Sequence, residues 1–186
     1  MMLDLFATPM LPGLAAADDF VSGDEERALI AAIDAADLSP FRFQGWTGKR
    51  LTVSFGWVYD FDLGRLSRGE PFPEWLLPFR DRAAGFAGLA PSALEQALLI
   101  RYDPGAGIGW HKDRPAFEHV VGVSLGAAAT MRFRRRHGVG FQRVSAPLPP
   151  RGAYHLAGEA RQQWEHSIAP MEQARWSLTF RSLAGR

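Results

Sequence analysis

The sequence predicts an α+β protein, mainly β, in which N-terminal helices pack on one sheet of a double-stranded β-helix, or jelly roll. Two observations carry this prediction. Helix-start signals and helix-spaced apolar residues occur in the first half of the chain. From Gln96 onward, short apolar runs alternate with turn residues about every ten positions, which is typical of an all-β sandwich or barrel.

The first predicted helix begins at Ser22. This serine precedes three acidic residues, an arrangement that caps a helix and complements its dipole, and Leu29 and Ile33 follow at helical spacing. The segment before it, Met1–Leu14, is expected to be an irregular leader. Ser39-Pro40 should end the helix, because the residue before a proline disfavours helical backbone.

A strand region and a second helix follow. Alternating apolar and polar residues across Phe41–Tyr59 predict strands, with a turn at Thr47-Gly48. Asp60–Pro73 is rich in glycine, proline and charge, so we expect a loop, and whether it acts as a lid stays open. The second helix should follow directly, run to about Phe86 and stop at Gly88.

The second half is predicted to contain strands and turns. Eight strands are expected, near 97–103, 107–111, 119–125, 129–135, 140–145, 151–157, 165–169 and 175–182. The turns between them are expected at Gly126, His137-Gly138, Pro147–Pro150, Gly158 and Pro170.

Length and composition limit the possible functions. With 186 residues, 47% hydrophobic and 22% charged, the chain is expected to form one domain (1–186), in which an N-terminal segment (1–95) precedes the jelly-roll core (96–183). The net charge of +1 gives no overall attraction to nucleic acid or membranes. Without cysteine there is no disulfide or thiolate chemistry, so a metal would need His and carboxylate ligands. No signal peptide or membrane span is visible, and we expect a cytoplasmic monomer.

The strongest candidate for a catalytic motif lies in the stretch Leu98–Asp113. This stretch begins as an apolar run, breaks at Pro104-Gly105 and ends in His111-x-Asp113. On extended backbone, residues two apart point to the same side, so the imidazole and the carboxylate would share one face. They are two of the three ligands of a 2-His-1-carboxylate iron site. The pair alone is common by chance, so the site needs a second histidine.

Four histidines could supply that ligand: His119, His137, His155 and His166. We expect His119 to be exposed beside Glu118, and His137 to lie at a solvated hairpin tip among arginines. His155 lies in an apolar strand, where a hydrogen-bonded core histidine is the simpler interpretation. His166 begins a strand and is the preferred third ligand, because a jelly roll can bring distant strands together at one mouth.

The last predicted strand alternates strictly. In Arg175–Arg181 the even positions are apolar and must meet core, whereas the odd positions are Arg, Ser, Thr and Arg. A solvent-facing polar side is the ordinary interpretation of such a pattern. Beside an iron site, however, Arg175 could hold the far carboxylate of a dicarboxylate cosubstrate through two parallel hydrogen bonds, and Tyr102 could donate a third.

Four sequence motifs follow one another in this half of the chain. They are Arg101-Tyr102-x-Pro104-Gly105-x-x-Ile108-x-x-His111-x-Asp113, Val123-Ser124-Leu125-Gly126, Gly158-x-x-Arg161-x-x-Trp164-x-His166 and Arg175-x-Ser177-Leu178-Thr179-Phe180-Arg181. In this order and spacing, they resemble the AlkB-like family of iron(II)- and 2-oxoglutarate-dependent dioxygenases. The likeness covers most of residues 97–182 and extends more weakly into the N-terminal half.

The resemblance implies an oxidoreductase with the double-stranded β-helix fold, iron(II) and 2-oxoglutarate as cofactors and O2 as cosubstrate. The iron ligands that it implies are His111, Asp113 and His166. Tyr102 and Arg175 would bind the distal carboxylate of 2-oxoglutarate. Arg181 would lie nearer the iron-chelating end, where it would steady that carboxylate or the region of Asp113.

Two positions depart from the family pattern. Ile100 stands where members often have Asn, so one hydrogen bond to the cosubstrate is missing or replaced. Pro115 stands where the nucleic acid repair members usually have an acidic residue, at a position near the substrate. This second departure speaks against a repair role.

Substrate contacts are expected in the N-terminal half and beside the metal motif. A base flipped out of its stack needs aromatic stacking and a basic path for the strand. The candidates are Trp46, Lys49, Arg50, Trp57 and Arg114. At period two, however, Phe55, Trp57 and Tyr59 share one face, which is also the pattern of a core strand. The Arg132–Arg136 run could contact phosphates or form solvated charge at a hairpin tip.

The sequence thus predicts oxidative demethylation or hydroxylation of alkylated bases, with methylated single-stranded DNA or RNA as the partner. The same chemistry on a protein, lipid or small molecule is an alternative, favoured by the neutral net charge and by Pro115. A non-catalytic jelly-roll binding module is a third alternative. The intact set of His111, Asp113, His166 and Arg175 argues against it.

Overall fold

The computed structural model describes residues 11–43, 46–61 and 63–185, without the side chains of Phe43 and Trp46. In chain order its strands and helices are β1 (Leu14–Ala17), α1 (Gly23–Asp34), β2 (Ser39–Phe43), β3 (Trp46–Asp60), β4 (Arg65–Arg68), α2 (Leu77–Ala87), β5 (Leu94–Tyr102), β6 (Ile108–His111), β7 (Phe117–Gly126), β8 (Ala129–His137), β9 (Gly140–Leu148), β10 (Ala153–Leu156), α3 (Gly158–Gln162), β11 (Glu165–Ile168) and β12 (Arg175–Leu183). Short 3-10 turns precede α2 (Glu74–Leu76) and β5 (Pro91–Ala93).

Two antiparallel sheets form the jelly roll. The larger sheet has the described strands in the order β1-β10-β7-β12-β5-β3-β2, with β4 paired to β3, and the smaller has the order β6-β11-β8-β9. All eight strands predicted for the second half are present as β5 to β12, with ends within three residues of the prediction. The mainly β jelly roll is therefore confirmed. The short helix α3 was not predicted.

The helices cover one face of the larger sheet, as the sequence predicts. Leu29 and Ile33 of α1 and Ala83 of α2 are buried in one cluster with Leu99 of β5. Each large side chain buried in this way contributes about 1.5–3 kcal/mol. Gly88, with a left-handed φ of +69°, ends α2 as predicted. Within the described residues, no helix combines the length and apolar character that a membrane span requires.

Helix α1 begins where predicted and ends earlier. The Ser22 side chain accepts a hydrogen bond from the Glu25 N–H at 3.1 Å, and the Glu25 carboxylate accepts one from the Ser22 N–H at 2.8 Å. This reciprocal capping box fixes the start of the helix. The helix ends at Asp34, and Ser39 and Pro40 instead begin β2. A proline is tolerated there because β2 is an edge strand.

Three other details of the N-terminal half differ from the prediction. The expected irregular leader ends in β1, and its residues 1–10 lie outside the described part. Thr47 pairs with Arg42 inside the β2–β3 ladder, so the turn predicted at Thr47-Gly48 is wrong. The Asp60–Pro73 segment contains β4, which pairs with the end of β3. The glycine, proline and charged residues of this segment predicted a loop, but an edge strand tolerates the same residues, so composition could not distinguish the two.

Candidate active site

Two histidines and one aspartate converge inside the jelly roll. Strands β6 and β11 are antiparallel neighbours, and their register places His111 directly opposite His166. One potential ligand atom from each of His111, Asp113 and His166 lies within 4.8 Å of the others. His166 Nε2 is 3.6 Å from Asp113 Oδ2, and the two imidazole ring centres are 4.3 Å apart. This donor set suits iron(II) and leaves coordination positions for other ligands.

The surroundings keep these three groups in the protonation states that bind metal. Burial lowers the pKa of His166 to about 4, and it also lowers the pKa of His111. Burial alone would raise the pKa of Asp113, but Arg181 and the two imidazoles outweigh it, so this pKa lies well below its usual range. Near neutral pH the site therefore contains neutral imidazoles and an ionised carboxylate, which are the forms that coordinate metals.

Neighbouring groups orient the ligands. His111 Nδ1 is 2.9 Å from the carbonyl oxygen of Gly109, so in the tautomer that donates this bond Nε2 is available to a metal. Arg181 reaches Asp113 Oδ1 through Nε at 3.1 Å and through Nη2 at 3.0 Å. Its Nη1 donates to Gln96 Oε1 at 3.0 Å. Arg181 thus contacts Asp113 directly and connects it to Gln96.

Arg175 lies inside the jelly roll rather than in solvent. It is 1% exposed, its Nε donates to Ser124 Oγ at 3.1 Å, and its guanidinium lies 5.0 Å from the ring centre of Tyr102, its cross-strand neighbour. Among the described residues, its buried Nη1 has no hydrogen-bond partner. An unsatisfied buried donor costs about 1–3 kcal/mol, more when charged. This pocket therefore fits an anionic acceptor such as a carboxylate.

The polar side of β12 is buried, so the ordinary interpretation of a solvent-facing side is wrong. Ser177 and Thr179 are each 2% exposed, because they lie on the face of the larger sheet that packs against the smaller sheet. The odd positions line the interior from Arg175 at one end to Arg181 at the other. One strand thus connects the buried guanidinium of Arg175 to Arg181, which contacts Asp113.

Tyr154 of β10 is an interior residue that the sequence analysis did not single out. It pairs with Gly122 of β7, and a Cβ atom added to Gly122 would lie 2.3 Å from the Tyr154 ring. Burial raises the pKa of Tyr154 to about 12, and Arg175 and Tyr102 are the next groups that influence it. The hydroxyl therefore shares the interior with the Arg175 guanidinium. The one signal for it, a glycine directly opposite, becomes visible only when the strand register is known.

Among the predicted substrate residues, Arg50 lies at the site. Its guanidinium is 3.8 Å from the ring centre of Phe41, and its buried Nε has no hydrogen-bond partner in the described part of the chain. Burial lowers the pKa of Arg50, opposed by Tyr102, and the charge of Arg50 in turn helps to lower the pKa of His111. Arg50 is therefore close enough to Tyr102 and to His111 to influence both.

Arg114 also lies at the site, beside a group of aromatic rings. The rings of Phe41 and Tyr59 each pack edge-to-face against Phe61, with centres 5.1 Å apart. Arg114 lies over Tyr59 at 5.3 Å and over Phe61 at 5.0 Å, and it directly follows the ligand Asp113. We call Phe41, Tyr59 and Phe61 the aromatic mouth.

The remaining substrate candidates are not brought to the metal ligands. The Trp57 indole N–H donates to Glu95 at 3.0 Å. Gln96, the next residue, faces the interior, so Glu95 and Trp57 lie on the other side of the sheet. Lys49 is exposed. The side chain of Trp46 lies outside the described residues.

The other histidines are not part of this cluster in the described chain. His137 is exposed at the β8–β9 hairpin, as expected. His119 is half-buried rather than exposed, because its Nδ1 lies 2.9 Å from His155 Nε2 and the two rings stack. His155 is hydrogen-bonded, as expected.

Arg161, which belongs to the third of the four sequence motifs, has a structural role. It lies in α3, is 6% exposed, and its Nη2 contacts the carbonyl oxygens of Arg114 and Phe117. These contacts fix the loop that follows Asp113. Arg161 thus orders the chain next to Asp113 through backbone contacts.

Comparison with known proteins agrees with this geometry. The family model described as 2OG-Fe(II) oxygenase superfamily matches residues 53–181. The chain is 30% identical over 172 residues to tRNA (carboxymethyluridine(34)-5-O)-methyltransferase alkbh8 of Xenopus tropicalis, covering 90% of this chain and 27% of that protein. It is also 30% identical, over an alignment of 220 positions, to alpha-ketoglutarate-dependent dioxygenase AlkB of Salmonella typhimurium, covering 98% of this chain and 99% of that protein.

A solved structure, described as the structure of OsALKBH1, shares the fold. Its TM-score is 0.72 at 16% identity, with 92% of this chain and 97% of that chain covered. The chain spans about a quarter of the length of the ALKBH8 relatives of Xenopus tropicalis and Mus musculus. The family model nevertheless covers more than half of this chain, and the AlkB match covers nearly all of both proteins. The chain therefore belongs to the AlkB-like family of 2-oxoglutarate- and iron(II)-dependent oxygenases.

Proposed function

We propose that this chain is a dioxygenase that hydroxylates or oxidatively demethylates alkylated nucleic acid bases. One observation carries the oxidation chemistry. The triad of His111, Asp113 and His166 shares the jelly-roll interior with Arg175, a buried guanidinium with a donor that no described residue satisfies. A metal-binding triad and an anion pocket in one interior are what an iron site with an oxoacid cosubstrate needs.

The residues at the two ends of the interior fit the two cofactors. The triad would hold iron(II), with positions left for 2-oxoglutarate and O2. Arg175, Tyr102 and Tyr154 would hold the distal carboxylate. Ile100, the residue that replaces the Asn of many family members, is 6% exposed and apolar. Tyr154 would supply the hydrogen bond that this replacement removes.

Bound iron and 2-oxoglutarate supply the oxidation, in which O2 and 2-oxoglutarate yield succinate, CO2 and a hydroxylated C–H carbon of the substrate. An N-methyl group that is hydroxylated in this way leaves as formaldehyde and frees the amine. The protein itself contributes position and charge. Arg181 holds Asp113 in its ionised form, and Arg175 fixes the far end of the oxoacid.

The aromatic mouth and its two arginines support a base as the substrate. A flipped base is held by stacking on aromatic rings and by hydrogen bonds to its edge. Arg50 places an unsatisfied donor beside the metal ligands, and Arg114 lies over two rings of the mouth. Several relatives have names that refer to nucleic acid, among them the tRNA methyltransferase of Xenopus tropicalis and an Alkylated DNA repair protein ALKBH8 homolog of Arabidopsis thaliana.

Formaldehyde and succinate release tests this proposal directly. Methylated single-stranded RNA and DNA oligonucleotides are incubated with the protein, iron(II), 2-oxoglutarate and O2. We expect formaldehyde from the wild type, none from His111→Ala, and wild-type amounts from the matched control His137→Ala, which changes an exposed histidine. Absence of both products with the wild type would contradict the proposal.

One observation favours a second candidate, the same oxidation of a protein, lipid or small molecule. Pro115 is exposed two residues after Asp113, where repair members of the family usually have an acidic residue. Succinate release that no oligonucleotide stimulates, together with unchanged bases by mass spectrometry, would support this candidate over a nucleic acid substrate.

A further inference from the structure

The outer face of the smaller sheet is rich in arginine. Residues two apart on a strand point the same way, so β8 places Arg132, Arg134 and Arg136 on this face. Phe133, between them, is fully buried on the inner face. Strand β9 adds Arg143, which is the cross-strand partner of Arg134. Four guanidinium groups thus lie together on two adjacent strands.

Two aromatic rings lie among these cations. Trp110 of β6 has Arg132 at 5.3 Å and Arg134 at 4.4 Å from its ring. Phe141 of β9 has three guanidinium groups within 5.5 Å of its centre. Arg134 therefore lies between the two rings. We call this surface the basic face, formed by Trp110, Arg132, Arg134, Arg136, Phe141 and Arg143.

Few acidic groups offset this charge. The sequence has no Asp or Glu between Glu118 and Glu159. Near the basic face, Glu165 pairs with Arg134 at 2.6 Å and Glu159 pairs with Arg135 at 2.9 Å. Over the part of the chain that the structure describes, four other cations here have no carboxylate partner: Lys112, Arg132, Arg136 and Arg143. Since the whole chain carries only +1, the positive charge is concentrated on this side.

A cavity opens at the edge of the basic face. Its volume is about 520 Å³, and its walls include Lys112, Arg135, Arg136 and Phe141. Lys112 also lines a second cavity of about 620 Å³ whose walls include the metal ligand Asp113. Lys112 thus lies where the basic face meets the side of the molecule that carries the metal ligand.

We propose that the basic face binds a single nucleic acid strand at nucleotides flanking the base that enters the active site. This inference rests on the proposed function. Guanidinium groups bind phosphates through charge-assisted hydrogen bonds, and partly exposed rings such as Trp110 and Phe141 can stack with the bases of single strands. Three arginines at alternate positions of β8 span about 13 Å, enough to contact successive phosphates. The aromatic rings among the cations favour a nucleic acid as the ligand, because they can stack with bases. An acidic peptide would need only the positive charge.

The basic face and the triad of His111, Asp113 and His166 lie on opposite sides of the smaller sheet. Trp110 precedes His111 in β6, and Glu165 precedes His166 in β11, so neighbouring residues point to opposite faces of the same sheet. The strand would therefore lie on the reverse side of the metal centre and reach the aromatic mouth past Lys112.

Strand binding can be measured without turnover. We propose fluorescence anisotropy with unmethylated 16-nucleotide single-stranded RNA and DNA, full-length protein, manganese(II) and 2-oxoglutarate, from 50 to 200 mM salt. Arg136→Gln/Arg143→Gln should bind at least about tenfold more weakly. Its plot of log affinity against log salt should be less steep by about 1.4, which corresponds to two lost phosphate contacts on a single strand.

The controls separate charge from stacking. Arg27→Gln/Arg80→Gln removes the same charge from α1 and α2, and should bind as the wild type does. Phe141→Leu should weaken binding and leave the salt slope unchanged, because it removes a stacking ring without a cation.

Wild-type affinity and slope in Arg136→Gln/Arg143→Gln would overturn the inference. So would binding of a poly-glutamate peptide that this variant loses while oligonucleotide binding stays intact. If the wild type prefers RNA or DNA and the variant loses this preference, the result would support the inference and show which nucleic acid binds. Failure is distinguishable from failure of the proposed function. A methylated nucleoside is too short to reach the basic face, so its demethylation tests the active site alone.

Discussion

Replacing Tyr154 by Phe tests whether a second tyrosine holds the cosubstrate. The change removes one hydroxyl and keeps the ring that packs over Gly122. Because the hydroxyl lies in the interior with Arg175, we expect it to donate to the distal carboxylate of 2-oxoglutarate. The other two tyrosines of the chain, Tyr59 and Tyr102, allow the same substitution as comparisons.

The expected magnitude follows from the loss of one hydrogen bond to a charged acceptor. Such a bond contributes about 1.5–3 kcal/mol, which corresponds to binding of 2-oxoglutarate about 10- to 150-fold weaker. The unfolding free energy should change by less than about 1.5 kcal/mol, because the ring and its packing remain. Affinity and stability therefore report separately on Tyr154.

Calorimetric titration of 2-oxoglutarate into manganese(II)-loaded protein measures this affinity without turnover. Tyr102→Phe should weaken binding by a similar factor, since Tyr102 lies beside Arg175. Tyr59→Phe should leave it unchanged, because Tyr59 belongs to the aromatic mouth. If Tyr154→Phe binds 2-oxoglutarate as the wild type does while Tyr102→Phe does not, the role assigned to Tyr154 is wrong.

Three further predictions concern packing, pH and metal affinity. Gly122→Ala should destabilise the fold by about 1–3 kcal/mol, because its Cβ would lie 2.3 Å from the Tyr154 ring; an unchanged thermal midpoint would contradict this. Metal-free protein should lose about 2 kcal/mol of unfolding free energy from pH 7 to pH 5. The His166 pKa is about 4 when folded and near 6.5 when unfolded, so the unfolded chain binds the proton first, and His166→Gln should flatten this dependence in urea titrations. Arg181→Lys should weaken manganese(II) binding about 10- to 100-fold in a chelator competition, because two contacts with Asp113 Oδ1 are lost, and an unchanged affinity would refute this.

The convergence of His111, Asp113 and His166 was predictable largely because the signal for two of them is local. His111 and Asp113 are two residues apart on extended backbone, so their common face follows from strand geometry alone. His166 could be placed near them only with a prediction of the fold, because a jelly roll brings the start of a distant strand to the same region. The alternation of the last strand alone favoured a solvent-facing side for Arg175, and only the predicted iron site and the family resemblance pointed to the interior. The burial of both faces of that strand could not be predicted from its pattern.

The predicted substrate residues were harder to place, because side chains stop alternating between the two faces of a sheet where the strand leaves that sheet. Alternation predicts a common face for Phe55, Trp57 and Tyr59. Phe55, however, packs in the core beneath the helices, whereas Tyr59 lies under Arg114. β3 pairs with β5 only as far as Gly56, whose φ is +77°, and beyond it pairs with β4. Past that glycine, a period of two no longer assigns a residue to a face.

The candidate metal site and the basic face lie on opposite faces of the smaller sheet, so their independence can be tested. A shift of one residue in β6, the strand that they share, would exchange His111 and Trp110 between the two faces and disturb both sites together. Side-chain changes on one face, by contrast, leave the register intact. Arg136→Gln/Arg143→Gln should therefore bind manganese(II) and 2-oxoglutarate with wild-type affinity while it loses strand binding. Loss of all three in this variant would mean that the arginines stabilise the sheet itself, and their assignment to nucleic acid would lose its basis.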